Sequence, residues 1–305
     1  MFLYLCPVKP YKINIMKSYI TIKSLVLSMV IILGMSSFSN DNQTSTNESV
    51  QETGAIADVL DSICAEGYNL FLAEYVNWVA TDSILAHYSI DQIGRNIVWQ
   101  PTADSWSVVF TDKEVNNCIF EFRYDKNSKR QTISYEKRPI SENEIALIEK
   151  KGLMLNNAFQ QYGDSLRYNP DYGNPNFDFI RIDANTTRLY MLQGLNRAGI
   201  IPFGNDFSFD FDNDCNITAF RRYHRSFLPQ PNDAESITHS HLRNNPYITP
   251  TDICNFLLYR GTVKELSVFS TFLKGYIVYN HAATWRTASL AADCMGRISA
   301  RPTSA

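Results

Sequence analysis

The stretch Ser236-Ile-Thr-His-Ser-His241, followed by Thr249-Pro-Thr-Asp252, decides how the fold and the site of this chain are interpreted. Side chains alternate along a β-strand, so His239 and His241 are expected to face the same side of a sheet. Asp252 comes eleven residues later, early in a predicted helix, and can close a His-His-Asp set around a metal ion. Such a set leaves one coordination position free for water, which distinguishes a catalytic zinc from a structural one.

The same segment has a simpler interpretation. Thr249 as N-cap, Pro250 at the first helical position and Asp252 in the first turn make a good helix start that needs no metal. A His-X-His pair also occurs on surface strands by chance. On the residues alone, ordinary strand histidines with a capping aspartate therefore stand as the alternative to a metal site.

The composition is that of an ordinary folded protein. The 305 residues are 45% hydrophobic and 19% charged, which is enough for two modest cores. The 17 Tyr and 18 Phe favour β-rich structure. A formal net charge of −3, without any run of Lys or Arg, gives no reason to expect a nucleic-acid partner.

The first 39 residues have the features of a secretory signal peptide. Lys17 and Lys23 precede an apolar run over 24–35, and small residues follow it. The run is shorter than the roughly 20 apolar residues of a membrane span. We therefore expect export to the periplasm or the extracellular space, with Met16 as the natural start and membrane contact only through this segment; a signal anchor is the alternative. The polar residues 40–54 predict a disordered linker.

Periodicity divides the remaining chain into two parts of an α+β protein. A helix over 55–79 and three short strands predict a small N-terminal helix-plus-meander unit over 55–139. A mixed β-sheet flanked by helices is predicted over 140–281, and an irregular tail over 282–305. The cysteines are far apart, and their pairing is undetermined, although Cys64 and Cys254 are best interpreted as small buried hydrophobes. Strands are predicted at 97–99, 106–110, 118–124, 177–182, 188–194, 198–203, 206–211, 217–227, 236–241, 265–270 and 275–280, and further helices after the capping box at Ser141 and over 250–259.

The sequence contains two other groups of candidate ligands. His224, in the stretch Arg221-Arg-Tyr-His-Arg-Ser226, can face the same site from a neighbouring strand, but we interpret it as a histidine on a basic strand face. Asp206, Asp210, Asp212 and Asp214 suggest a calcium site by their number, but the alternation over residues 206–212 lacks the spacing and the glycine of a calcium loop. We interpret these aspartates as the solvent face of a strand.

His239-Ser-His241, ten intervening residues and then Asp252 resemble the metal motif of the JAMM/MPN family, written H-S/T-H-x(7)-S-x(2)-D. Thr249 stands where that family has its serine. The resemblance covers roughly residues 177–280, including the order of strands and helix. It implies a mixed sheet with cytidine-deaminase-like layering and one zinc ion held by the two histidines and the aspartate. It further implies a peptidase or isopeptidase in which metal-activated water attacks an amide of a protein or peptide substrate, with Thr249 polarising near the metal.

The general base is where the sequence departs from this family. The family places a glutamate shortly before a glycine, and the best match here, Asn196-Arg-Ala-Gly199, has an amide at that position. Asparagine can orient water but cannot take its proton. Glu235, four residues before His239, is a substitute candidate, as are Glu144 and Glu149 on the preceding helix, and spacing selects none of the three. Two main hypotheses follow: an exported zinc-dependent hydrolase, or an inactive JAMM-like secreted binding protein; a delivered toxin or effector is a third.

Overall fold

The computed structural model describes residues 44–280, and side chains from residue 56 onward. The predicted signal peptide, the first residues of the linker and the tail lie outside the described residues. Within 44–280, no helix combines the length and the apolar character needed to cross a membrane.

Residues 44–280 contain three α-helices: α1 (Thr44–Leu85), α2 (Glu142–Tyr162) and α3 (Pro250–Tyr259). The predicted bounds of α3 and the capping box of Ser141 at the start of α2 are confirmed. Helix α1 begins at Thr44 rather than near Ala55, so the prediction of a disordered linker was wrong over residues 44–54. The stretch contains no proline, and extending an existing helix adds a hydrogen bond per residue without a second nucleation cost.

The N-terminal sheet is an antiparallel meander. Its strands are β1 (Ile93–Thr102), β2 (Ser105–Asp112), β3 (Asn117–Asp125) and β4 (Arg130–Ser134), and β5 (Arg138–Pro139) also pairs with β3. The three predicted strands are confirmed. Strand β4 was not predicted, because its polar, mostly exposed sequence lacks the apolar alternation that marks a strand.

The remaining nine strands are divided among three smaller sheets, and most pairings are antiparallel. One sheet has the order β10-β9-β7-β6, a second pairs β11 with β8, and the third has the order β12-β13-β14. Only the third is mixed, because β12 runs parallel to β13. The α+β class is thus confirmed. The strands are β6 (Asn176–Arg181), β7 (Thr187–Leu192), β8 (Ile200–Phe203), β9 (Phe207–Phe211), β10 (Ile217–Arg222), β11 (Leu228–Pro231), β12 (Ser236–His241), β13 (Glu265–Ser270) and β14 (Gly275–Asn280).

Helix α1 packs against both halves of the chain. Its later turns join the N-terminal core, where Val76 lies in one cluster with Phe120, and its earlier Leu60 lies in the same cluster as Phe256 of α3. The two helices cross closely at Gly67: a Cβ there would lie 2.8 Å from the Ile253 Cβ and 2.9 Å from the Pro250 carbonyl oxygen. This crossing fixes the first turn of α3.

The predicted solvent face of β9 is buried. Its phenylalanines belong to a core that also contains residues of α2, and on the opposite face Asp210 accepts hydrogen bonds from Arg188 at 2.5 and 2.9 Å. Arg188 also contacts Glu66 of α1 at 2.5 Å. The prediction was wrong for Asp206 and Asp210, which are both buried: Asp210 lies under the Arg188–Glu66 pair with α1, and Asp206 is covered by His224 and by Thr251 of α3.

The cysteines of the described region form no disulfide with one another. All four are buried, which confirms the interpretation of Cys64 and Cys254 as buried residues; the four are Cys64, Cys118, Cys215 and Cys254.

Candidate metal centre

Strand β12 presents both of its histidines to the interior. The burial pattern alternates along the strand, and Ile237, His239 and His241 are the buried positions. Ile237 belongs to the core around α3, so the same alternation that buries it also turns the two imidazoles inward. The predicted orientation of His239 and His241 is confirmed.

The first turn of α3 presents Asp252, and its two carboxylate oxygens have different partners. Oδ2 accepts hydrogen bonds from the Thr249 amide at 2.8 Å and from the Thr249 hydroxyl at 2.7 Å. The Asp252 amide in turn donates to the Thr249 hydroxyl oxygen at 3.2 Å, which completes a capping box. Oδ1 is left to face the histidines. The helix-start interpretation and the ligand interpretation of Asp252 are therefore both compatible with this geometry.

His224 is the third histidine of the cluster, so its assignment to a basic strand face was wrong. Strand β10 ends at Arg222, and the chain then leaves the ladder. Asn245 holds this departure by donating to the carbonyl oxygens of Arg222 and Tyr223 at 2.9 and 2.7 Å. Because the strand does not continue to Phe227 as predicted, His224 turns into the interior.

The four donor groups converge at short separations. His224 Nε2 lies 3.4 Å from His239 Nε2 and 3.0 Å from His241 Nε2, and the latter two atoms are 3.1 Å apart. Asp252 Oδ1 lies 3.1 Å from His224 Nε2 and 3.2 Å from His239 Nε2. Zinc bonds of about 2.0–2.1 Å place the corners of a tetrahedron about 3.3–3.4 Å apart. This buried cluster of His224, His239, His241 and Asp252 can hold a metal ion.

The hydrogen bonds of the Nδ1 atoms of His224 and His241 show which ring nitrogens carry the lone pairs. His224 Nδ1 is 2.8 and 2.9 Å from the two oxygens of Asp206, and His241 Nδ1 is 2.5 Å from the Tyr247 carbonyl oxygen. These oxygens accept, so Nδ1 carries the hydrogen, and the Nε2 of a neutral ring has a bare lone pair. Two such lone pairs 3.0 Å apart repel each other unless a cation is shared between them.

The Oδ1 atom of Asp252 also points toward the centre of the cluster without a hydrogen-bond partner. Within the described residues this buried oxygen has no hydrogen-bond partner, although two imidazole nitrogens lie within ion-pair distance. Proximity without hydrogen-bond geometry fits atoms that point at a common centre rather than at one another.

The electrostatics of the cluster without an ion show how strongly its members are coupled. Burial alone would raise the pKa of Asp252, but the three imidazoles lower it well below its usual value. Burial alone would lower the pKa of His224, but the carboxylates of Asp206 and Asp252 raise it well above its usual value. For His241, burial lowers the pKa against the attraction of Asp252. Without a metal, the structure thus favours a proton on His224.

Asp206 supports the cluster from behind. It is fully buried, it accepts from His224 Nδ1, and the Thr251 hydroxyl donates to its Oδ2. A carboxylate behind a ligating imidazole fixes the tautomer and the ring orientation. Thr251 lies in the first turn of α3, so the same turn carries Asp252 and holds Asp206.

Of the three residues predicted to act in catalysis, one lies at the buried cluster and two lie on the surface. Thr249 is buried at the cluster, where its hydroxyl donates to Asp252. The Glu235 side chain is 86% exposed and lies 3.8 Å from Lys264. Asn196 is exposed on a loop, where it lies against the Asp171 carbonyl oxygen. Neither Glu235 nor Asn196 is part of the buried cluster.

The sequence raised His224 as a candidate ligand but favoured a basic strand face for it, and it gave no sign of the role of Asp206. No spacing relates them to the His-X-His pair, and the stretch around His224 is typical of a basic strand. The chain matches no known family model, and neither the curated proteins nor the solved structures contain a match to it. The JAMM/MPN resemblance therefore stays a prediction.

Proposed function

We propose that this protein binds one zinc ion through His224, His239, His241 and Asp252, and that the ion joins β12, α3 and the segment after β10. The convergence of three imidazole nitrogens and a carboxylate oxygen at near-tetrahedral separations, inside a buried site, carries this proposal. Four protein donors complete a tetrahedron without water, which is the pattern of a structural site.

The donor set supports zinc over the hard cations. Calcium and magnesium prefer oxygen ligands, whereas imidazole suits zinc and its neighbours among the transition metals. The charges also suit a divalent ion. Asp252 in the cluster and Asp206 behind it supply two negative charges, so a divalent ion with neutral imidazoles leaves the buried site without net charge.

Metal analysis of the purified full chain tests the proposal. We expect one zinc per chain after reconstitution, lost in His239→Ala and in His241→Ala. His87→Ala is the matched control, because His87 is an exposed histidine on the turn after α1, outside the cluster. Absence of stoichiometric zinc from the folded wild-type protein would refute the proposal.

A second candidate function, an exported zinc-dependent peptidase or isopeptidase, is favoured by one observation. His224 is held by Asp206 in the manner of an oriented base, and it stands next to the three residues with JAMM-like spacing. A bound zinc would supply Lewis acidity there. His224 Nε2 would then accept a proton and Asp206 would stabilise the imidazolium, which would replace the glutamate that Asn196 and Glu235 do not provide. The JAMM-like layering that the sequence predicts for the fold is part of this second candidate.

Activity separates the two candidates. Zinc-loaded protein is incubated with a peptide library and with ubiquitin-like isopeptide substrates. The peptidase candidate requires cleavage that Asp252→Asn abolishes. If the protein binds stoichiometric zinc and cleaves none of these substrates, the zinc has a structural role, and the protein is a non-catalytic secreted binding protein.

A further inference from the structure

A second group of buried charges lies away from the metal centre, between α1 and β6. Glu74 of α1 is 5% exposed and Asp178 of β6 is 2% exposed. Asn176 and Asp178 lie on the same face of β6, and Asn176 donates to Glu74, so the carboxyl groups of Glu74 and Asp178 face each other across the α1–β6 contact. Two carboxylates in contact are unusual in a protein interior, because ionised groups of like charge without water repel strongly.

One oxygen of each carboxyl group already has a polar partner. Asn176 donates to Glu74 Oε2 at 3.0 Å, and the Lys151 ammonium lies 3.8 Å from Asp178 Oδ1. The other two oxygens, Glu74 Oε1 and Asp178 Oδ2, have no hydrogen-bond partner among the described residues. A proton kept on one of the two carboxyl groups would replace their repulsion by a hydrogen bond.

Polar groups from α1, α2 and α3 surround the pair, within a core that is otherwise apolar. Helix α2 contributes Lys151, and helix α3 contributes the Cys254 thiol. Asn77 of α1 bonds to Asp178 and is itself contacted by Asn96 of β1. Strands β2 and β3 contribute apolar side chains to the α1 core, including Val108, Phe110, Phe120 and Phe122. One ammonium therefore faces two carboxyl groups, which leaves one negative charge too many if both are ionised.

We infer that Glu74 keeps its proton at neutral pH and donates it to Asp178, so that a shared-proton acid pair joins α1 to β6. Lys151 decides which partner is ionised, because its ammonium stands beside Asp178. Burial, and then the charge of Asp178, raise the pKa of Glu74 well above its usual value. Burial also raises the pKa of Asp178, but Lys151 and the hydrogen bond from Glu74 oppose that increase.

The pair makes the stability of the α1–β6 contact decrease as pH rises. The pKa of Glu74 is raised from an ordinary value of 4.5, so its contribution to stability is complete below that pH. The contribution is lost as pH rises through the pKa of the folded state. Over that window, the unfolding equilibrium constant increases by up to about tenfold per pH unit for the one proton released.

Denaturant unfolding of the full chain from below pH 4.5 into the alkaline range tests the inference. Glu74→Gln keeps the shape and an N–H donor toward Asp178 but has no proton to lose, so we expect its stability to vary less with pH than that of the wild type. Glu66→Gln is the matched control: Glu66 also lies on α1 but is paired with Arg188, and the wild-type pH dependence should persist. Equal pH dependence in Glu74→Gln and wild type would overturn the inference.

An infrared measurement on the native protein needs no variant to fold. The carbonyl band of a protonated carboxyl group should be present at neutral pH and shift on deuteration, and it should be missing in Glu74→Gln. A neutral-pH spectrum without this band would equally overturn the inference. Neither measurement depends on zinc, so their outcome is separate from that of the proposed metal site.

Discussion

Replacing His224 by alanine is the most decisive perturbation of this protein, because His224 separates a four-ligand site from the three-residue site of the JAMM-like motif. If His224 is a ligand, its removal weakens zinc binding. If it acts only as a base beside three ligands, its removal leaves zinc affinity almost unchanged and reduces turnover. The separations of 3.0–3.4 Å between its Nε2 and the other two imidazoles favour the first outcome.

The expected magnitude follows from the ligand count. Structural zinc sites bind with about 10–16 kcal/mol at neutral pH, so one of four ligands corresponds to about 2.5–4 kcal/mol. This loss raises the Kd for zinc by roughly 10²–10³-fold. A lost general base would instead reduce the rate by about 10²–10⁴-fold.

Competition with a chromophoric chelator near neutral pH measures the Kd for zinc in wild type, His224→Ala and the control His87→Ala. Because the substitution leaves Asp206 without its imidazole partner, circular dichroism and thermal unfolding must first show that the variant is folded. A folded His224→Ala protein with the wild-type Kd would refute the four-ligand assignment.

Three further predictions test the surroundings of the site. Asp206→Asn should weaken zinc binding by about 10–100-fold, because the ring of His224 loses the acceptor that orients it; calorimetry measures this, and an unchanged Kd would contradict the assigned role. The carboxylates that raise the pKa of His224 stabilise the metal-free fold, and this stabilisation is complete below about pH 6.5. It is lost as the pH rises through the pKa of His224 in the folded state. Zinc must displace that proton, so its affinity should increase with pH in competition titrations, and a flat profile would count against the ligand set. Gly67→Ala should destabilise the fold by about 1–3 kcal/mol in urea unfolding, because the new Cβ meets the Pro250 carbonyl oxygen and Ile253 Cβ; wild-type stability would show that the helix crossing can relax.

The accuracy of the sequence-based predictions depends on how local each signal is. The start of α3 was predicted correctly because Thr249, Pro250 and Asp252 act within one helical turn. The inward orientation of His239 and His241 was predicted from strand alternation alone. Strand β11 was missed, since two of its four residues are prolines, which cannot donate to a ladder.

Errors arose where a distant element changes the environment of a correctly predicted strand. Asp210 was assigned to solvent because β9 alternates, but α1 covers that face and pairs Glu66 with Arg188. His224 was assigned to a strand that in fact ends at Arg222. The strand ends there because the Asn245 side chain donates hydrogen bonds to the carbonyl oxygens of Arg222 and Tyr223. Such contacts have no local periodicity.

The sequence by itself therefore determined the α+β class, the three described helices, most strands and three members of the candidate metal centre, since each depends on spacing within a few residues. The tertiary structure decided the rest. It brought His224 and Asp206, which lie just beyond the ends of β10 and β9, to the cluster, and it placed Glu74 of α1 beside β6, which carries Asp178, 104 residues away along the chain. The physical reason is that propensity and alternation act between neighbours, whereas a buried charge is assigned its partner only when separate elements pack together.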